Sequence, residues 1–175
     1  MQLIQSVAPD RVGIFGLVVE EEESRHLRSV YVHSKLALID DAVMVNGSTN
    51  MDSISFYYCS EMSAAIHSPE LAKRARIRLG QEHLGRAWRP SMEDDIGQMF
   101  DAFCAEATLN MTLLRDGYSP SGRLVWMAPA TEYEFLVQKV GYPHKLSKLM
   151  RKMGVNPKEL SRKLTSIPEV LRSKL

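Results

Sequence analysis

The chain has 175 residues, 45% of them hydrophobic and 25% charged, with a formal net charge of +1. This is the make-up of a soluble globular protein with material for a real core, and the near-neutral balance selects no partner class by itself. No apolar run approaches the ~20 residues of a spanning helix, and Cys59 and Cys104 lie too far apart for a metal-ligand pair or a secreted disulfide scaffold.

A buried thiol pair is therefore the expectation for the two cysteines. The opening MQLIQSVAPDRVG has no charged stretch leading into an apolar one, so no signal peptide is expected and the location expected is cytoplasmic or peripheral membrane. The local charge is uneven. Residues 91–117 are acidic, whereas residues 143–175 carry Lys145, Lys148, Arg151, Lys152, Lys158, Arg162, Lys163, Arg172 and Lys174 against only Glu159 and Glu169. Such a tail reads first as the solvated side of helices and second as a surface for an anionic partner.

In chain order, VGIFGLVV (12–19) reads as a buried strand. EEEESRHLR is a charged connection. VYVHSKLALI (30–39) and AVMVNG (42–47) read as two strands joined by a tight turn at Asp40-Asp41, and FYYCSEMSAAI (56–66) as a fourth strand. Ser68, Pro69 and Glu70 then open a helix that Gly85 closes. Gly80 inside it costs about 1 kcal/mol relative to Ala. Residues 92–115 form a longer amphipathic helix with Ile96, Met99, Phe100, Phe103, Ala107 and Met111 in one stripe, a packing face rather than a cofactor site. RLVWMAP (123–129) reads as a strand, TEYEFLVQKV (131–140) as strand or helix, and the remainder as short helices broken at Gly154, Pro157 and Pro168. A soft boundary near residues 86–91 separates a first unit, 1–90, from an extension, 91–175.

The segment YVHSKLALIDDAVMVNGSTN (31–50) concentrates the chemistry. Strand side chains alternate with period two, so His33 and Lys35 share a face, Asp40 falls on the other parity, and Ser48 and Asn50 share a face if extended structure passes Gly47. Neighbouring strands would then gather one titratable nitrogen, one fixed cation and two neutral hydrogen-bonding groups. That set fits a phosphate: Lys neutralises charge, Ser and Asn bind oxygens, and His attacks phosphorus or moves a proton. A metal fits poorly beside a lysine with no second His or Cys at ligand spacing. The competing reading is a satisfied core histidine, weakened because lysine is rarely buried unpaired.

The pattern His33-x-Lys35-x4-Asp40-x6-Gly47-Ser48-x-Asn50 resembles the HKD motif of the phospholipase D superfamily at each defining position. Glu61, eleven residues after Asn50, stands where that family commonly places a carboxylate that orients the catalytic histidine through its other ring nitrogen. RLGQEHLG (78–85) resembles the segment after the second motif of eukaryotic-type phospholipases D, although Gly80 stands in place of its Trp and Ile54 where many members have Arg. The resemblance covers roughly residues 10–90. It implies an α/β fold: a phospholipase D-like mixed sheet flanked by helices, read as N-terminally truncated, with a mainly helical C-terminal region.

The resemblance also implies a mechanism needing no cofactor or metal. Two motifs face one site. One histidine forms a phosphohistidine, the other protonates the leaving alcohol and then activates water or an acceptor alcohol, and Lys35 and Asn50 with their counterparts hold the phosphoryl oxygens. His33, Lys35, Asn50 and Glu61 are the expected catalytic set, with Ser48 binding substrate and Asp40 and Gly47 serving the motif's structure. His26, His67 and His83 have no lysine two residues on, so the chain offers half a site. The other half would come from a missing N-terminal region, the preferred reading given the downstream segment, or from a second copy. The expected substrate is a phospholipid, hydrolysed or transphosphatidylated, with peripheral membrane contact. The alternatives are a nuclease or phosphatidyltransferase working as a homodimer, and a catalytically incomplete remnant.

Overall fold

The computed structural model describes residues 7–21, 23–24, 26–50, 53–127 and 130–140. Its strands form two three-stranded antiparallel sheets rather than the single mixed sheet expected. In the first, β1 (Phe15–Glu20) is central, flanked by β2 (Leu27–Val30) and β6 (Leu124–Trp126). In the second, β4 (Val43–Gly47) lies between β3 (Lys35–Ile39) and β5 (Ser63–His67). The element order is α/β, with α1 (Ser53–Tyr57), α2 (Pro69–Leu84), α3 (Ile96–Arg115) and α4 (Ala130–Val140) interleaved.

The apolar run 30–39 is thus two strands, not one. β2 ends at Val30 in the first sheet, residues 31–34 are non-strand, and β3 starts at Lys35 in the second sheet. The run of residues 56–66 also divides. Phe56 and Tyr57 close the short α1, and strand pairing begins only at Ser63, where β4 supplies a partner.

Helix α2 follows from its termini. Ser68 Oγ accepts from Leu71 N at 3.4 Å, Pro69 occupies the first turn, and Gly85 takes φ 50 at the C-terminus, a conformation other residues adopt only at a cost. Its buried line is Ala72, Arg76, Gly80 and Leu84, one residue per turn. Gly80 is a close-approach site, since a Cβ there would lie 2.5 Å from the Trp88 ring and 2.9 Å from Met99 Sδ. Trp88 lies over this glycine.

Asp95 caps α3, accepting from Gln98 N at 2.9 Å, so the helix starts at Ile96; Pro90–Glu93 form a separate 3-10 turn. Ala107 and Met111 of the expected stripe are buried and Met99, Phe100 and Phe103 partly so, but Ile96 at the first turn is 47% exposed. One core cluster joins Val18, Met111, Leu114, Val125 and Leu136, and another joins Leu84, Met92, Ala107 and Leu124. Phe15 bridges toward the second, with ring centroids 5.7 Å from Phe103 and 4.6 Å from Trp126.

Asn110, fully buried, donates to Leu124 O at 2.9 Å and accepts from Ser121 N at 2.8 Å and Gly122 N at 3.2 Å, which satisfies the turn entering β6. β6 pairs with β1, Phe15 opposite Trp126, so a ladder spans the compositional boundary near residues 86–91. Residues 131–140 are helical, and Arg115 pairs with Glu132 to tie α4 to α3. Cys59 is exposed and Cys104 half-buried, both as free thiols, which corrects the expectation of a buried pair: Cys59 sits in the segment that is loop rather than strand. The readings made for the tail fall outside the described residues.

Candidate active site

The hairpin β3–β4 positions the motif. Asp40 and Asp41 both take φ 51, and Ala42 N donates to Ile39 O at 2.9 Å. Two consecutive left-handed residues make the tight turn whose twist suits a hairpin, and aspartate tolerates that region better than most residues. The turn sets Lys35 opposite Gly47, and β5 sets Ser63 opposite Gly47 on its other side. The row Lys35–Gly47–Ser63 therefore crosses the sheet at one end. His33, Ser48, Asn50 and Glu61 all lie just beyond that row.

At this end a Cβ on Gly47 would overlap the Ser63 side chain and the Met62 carbonyl, which explains the glycine. Lys35 Nζ donates to the His33 carbonyl oxygen at 2.7 Å, and the His33 ring stacks on Tyr31 with centroids 5.6 Å apart. His33 lies two residues before β3, outside the strand from which its facing was inferred. Ser48 N donates to Met62 O at 2.9 Å, and Met62 N donates to Ser48 Oγ at 3.1 Å. The hydroxyls of Thr49 and Ser63 meet at 2.9 Å. Asn50 Nδ2 donates to Ser55 Oγ at 3.3 Å, with Ser55 buried in α1.

His33 and Asn50 are exposed, and Lys35 and Glu61 half-buried. The pairing sets Lys35 opposite Gly47 at one sheet end, but among the described residues no hydrogen bond joins His33 to Ser48, Asn50 or Glu61. Asp40 sits at the far end of the hairpin, exposed, in the turn.

Sequence reasoning missed the group that fixes that far end. Arg76 is forked onto Asp41, Nε to Oδ1 at 2.7 Å and Nη2 to Oδ2 at 2.6 Å, and also donates to Met92 O at 3.1 Å and Glu93 O at 2.7 Å. Hydrogen bonding from Arg76 outweighs desolvation and holds the Asp41 carboxyl below the usual carboxylate range, while the same bond raises the guanidinium. The available signal was a charged residue on the buried line of α2. Sequence reasoning also missed Thr49, Ser55 and Ser63, whose hydroxyls fix the loop carrying Asn50; the cue was their density around the motif.

Imidazole, ammonium, amide, hydroxyl and carboxylate at one open sheet end make a constellation suited to a phosphodiester. The family model of the phospholipase D-like domain of cardiolipin synthase matches residues 16–81, from β1 into α2. Over that segment the chain is similar to the phospholipase D superfamily. No curated protein matches the chain, and no solved structure matches it. Among the described residues, no helix is long and apolar enough to cross a membrane.

Proposed function

We propose that this chain supplies one half of a two-histidine site for phospholipase D-type chemistry on a phospholipid: hydrolysis of the head-group phosphodiester, or its transfer to an alcohol. The observation that carries this reading is the pairing of Lys35 with Gly47, which brings both ends of the motif to one sheet end. The family match of residues 16–81 supports it.

In this reading the bond broken joins phosphorus to the head-group oxygen. A histidine of the other half attacks phosphorus, and protonated His33 gives its proton to the departing oxygen. Neutral His33 then takes a proton from water, whose oxygen attacks phosphorus and releases the other histidine. In a pair of identical chains each His33 takes one role. Lys35 and Asn50 face the phosphoryl oxygens, where negative charge builds, and Ser48 is the further donor. Glu61 orients the imidazole once the substrate closes the site.

A second reading, transfer to an acceptor alcohol in place of water, is favoured by the description of the matched domain as that of a synthase. The proton inventory is unchanged. Adding a primary alcohol to a phosphatidylcholine assay separates the two: the transfer reading requires phosphatidyl-alcohol to exceed phosphatidic acid. Cleavage of DNA with no head-group release would overturn the lipid substrate.

A further inference from the structure

Between β4 and β5, residues 48–50 and 61–63 make a fastened base, and residues 56–58 make an exposed apolar tip. The base is closed by the paired Ser48–Met62 bonds and the Thr49–Ser63 contact, and Asn50 reaches across to Ser55. Compact surface loops whose ends meet in this way frequently carry function. At the tip Phe56 is 61%, Tyr57 80% and Tyr58 84% exposed, with Met62 beside the base at 83%. Residues 53–60 carry no charge.

Single exposed apolar residues need no explanation, but three consecutive aromatic ones do. Adjacent residues cannot share one helix face, so these rings surround a tip rather than build a flat contact. Tyrosine, apolar in its ring and polar at its hydroxyl, suits the boundary between head groups and acyl chains. The tip leaves the same sheet end that holds His33 and Lys35. A phospholipid in a bilayer offers its phosphodiester at head-group level, so a tip beside the site meets that layer when the substrate does. Charge agrees: Lys35 lies beside the site, and residues 143–175 carry nine Lys or Arg against two Glu.

Other exposed apolar residues, among them Tyr31, Val32, Leu36 and Ile39, belong to β3 and its approach, at the opposite edge of the sheet from β5. Resting on the phospholipid reading above, we propose that Phe56, Tyr57 and Tyr58 enter the head-group layer of a phospholipid bilayer and hold the site at the lipid surface.

Sedimentation of the full chain with vesicles of phosphatidylcholine, alone or mixed with phosphatidylglycerol, tests this. The combined variant Phe56→Ser, Tyr57→Ser, Tyr58→Ser is expected to lose at least about tenfold in partitioning, with an unchanged melting curve. Its turnover of a monomeric short-chain phosphatidylcholine is expected to be unchanged too. Partitioning equal to wild type overturns the proposal, as does a change in oligomeric mass on removing the rings, which would make the tip a protein contact. Tyr58→Trp gives a measurement independent of the triple variant's folding: its added emission is expected to shift to the blue and be quenched by brominated acyl chains, and an unquenched signal overturns the proposal. Tip-dependent partitioning without any phosphodiester turnover would sink the function and leave the tip standing; turnover with tip-independent partitioning would do the reverse.

Discussion

Lys35 and Gly47 are cross-strand partners, and this one pairing explains the spacing of the whole motif. Counting outward from the Asp40-Asp41 turn, the hairpin returns the chain so that Lys35 arrives opposite Gly47, the strand residues nearest His33 and Ser48. The long interval between the two halves of the motif is the length of a hairpin. A slip of one residue would turn every side chain of β3 to the other face.

Gly47→Ala tests that geometry. The added methyl meets the Ser63 side chain and backbone and the Met62 carbonyl, neither of which can retreat without breaking the β4–β5 ladder. Overpacking of this kind costs about 1–3 kcal/mol. Urea unfolding should show that loss, and a variant as stable as wild type would mean the β4–β5 register is wrong.

Gly80→Ala separates propensity from packing. Helix propensity alone predicts a gain of about 1 kcal/mol. The Trp88 ring and Met99 Sδ stand in the way of a Cβ, so the variant is expected to be destabilised instead. Replacing Trp88 by Leu in the same chain should relieve part of that loss, the Met99 contact remaining. Calorimetry of the two variants decides the sign.

Arg76→Met removes the clamp on the hairpin turn. It leaves the Asp41 carboxylate without its forked partner and two carbonyls without donors. The expected loss is about 2–3 kcal/mol, read from urea midpoints at neutral pH.

The same pair sets an acid dependence. Asp41 has a folded pKa below its unfolded value, so its stabilisation is complete above the unfolded value and disappears as pH falls through the folded one. Arg76→Met should flatten stability against pH in that acid window. His83 acts at higher pH: burial lowers its pKa, the unfolded chain takes up the proton first, and stability falls as pH drops through the ordinary imidazole range. His83→Gln should flatten that upper window alone. Unfolding curves at a series of pH values resolve the two.

What the sequence made legible was local. Ser68, Pro69, Glu70 and Gly85 state the limits of α2 in neighbouring residues, and Asp40-Asp41 between two alternating runs states the hairpin. The break at residues 31–34 was not legible, because the apolar alternation of Val30, Val32, Leu36 and Leu38 continues across a change of sheet. Phe56, Tyr57 and Tyr58 favour strands by propensity but lack a strand to pair with, since the base of their loop is already closed by Ser48 and Met62. Arg76 and Asp41 lie 35 residues apart, and only the packing of α2 on the hairpin brings them together. The candidate site was legible as a motif, whereas the hydroxyls that fix it, on Thr49, Ser55 and Ser63, depend on the β4–β5 ladder and the loop it closes.

The chemistry of His33 is the central claim. Its side chain is exposed, so His33→Ala should fold as wild type does, within about 0.5 kcal/mol. The most direct measurement is head-group release from mixed micelles by the full chain, across concentrations that span dimer formation, for wild type and His33→Ala. The account predicts turnover that depends on His33 and is lost at least about a thousandfold in the variant. Equal turnover by the two chains would contradict it.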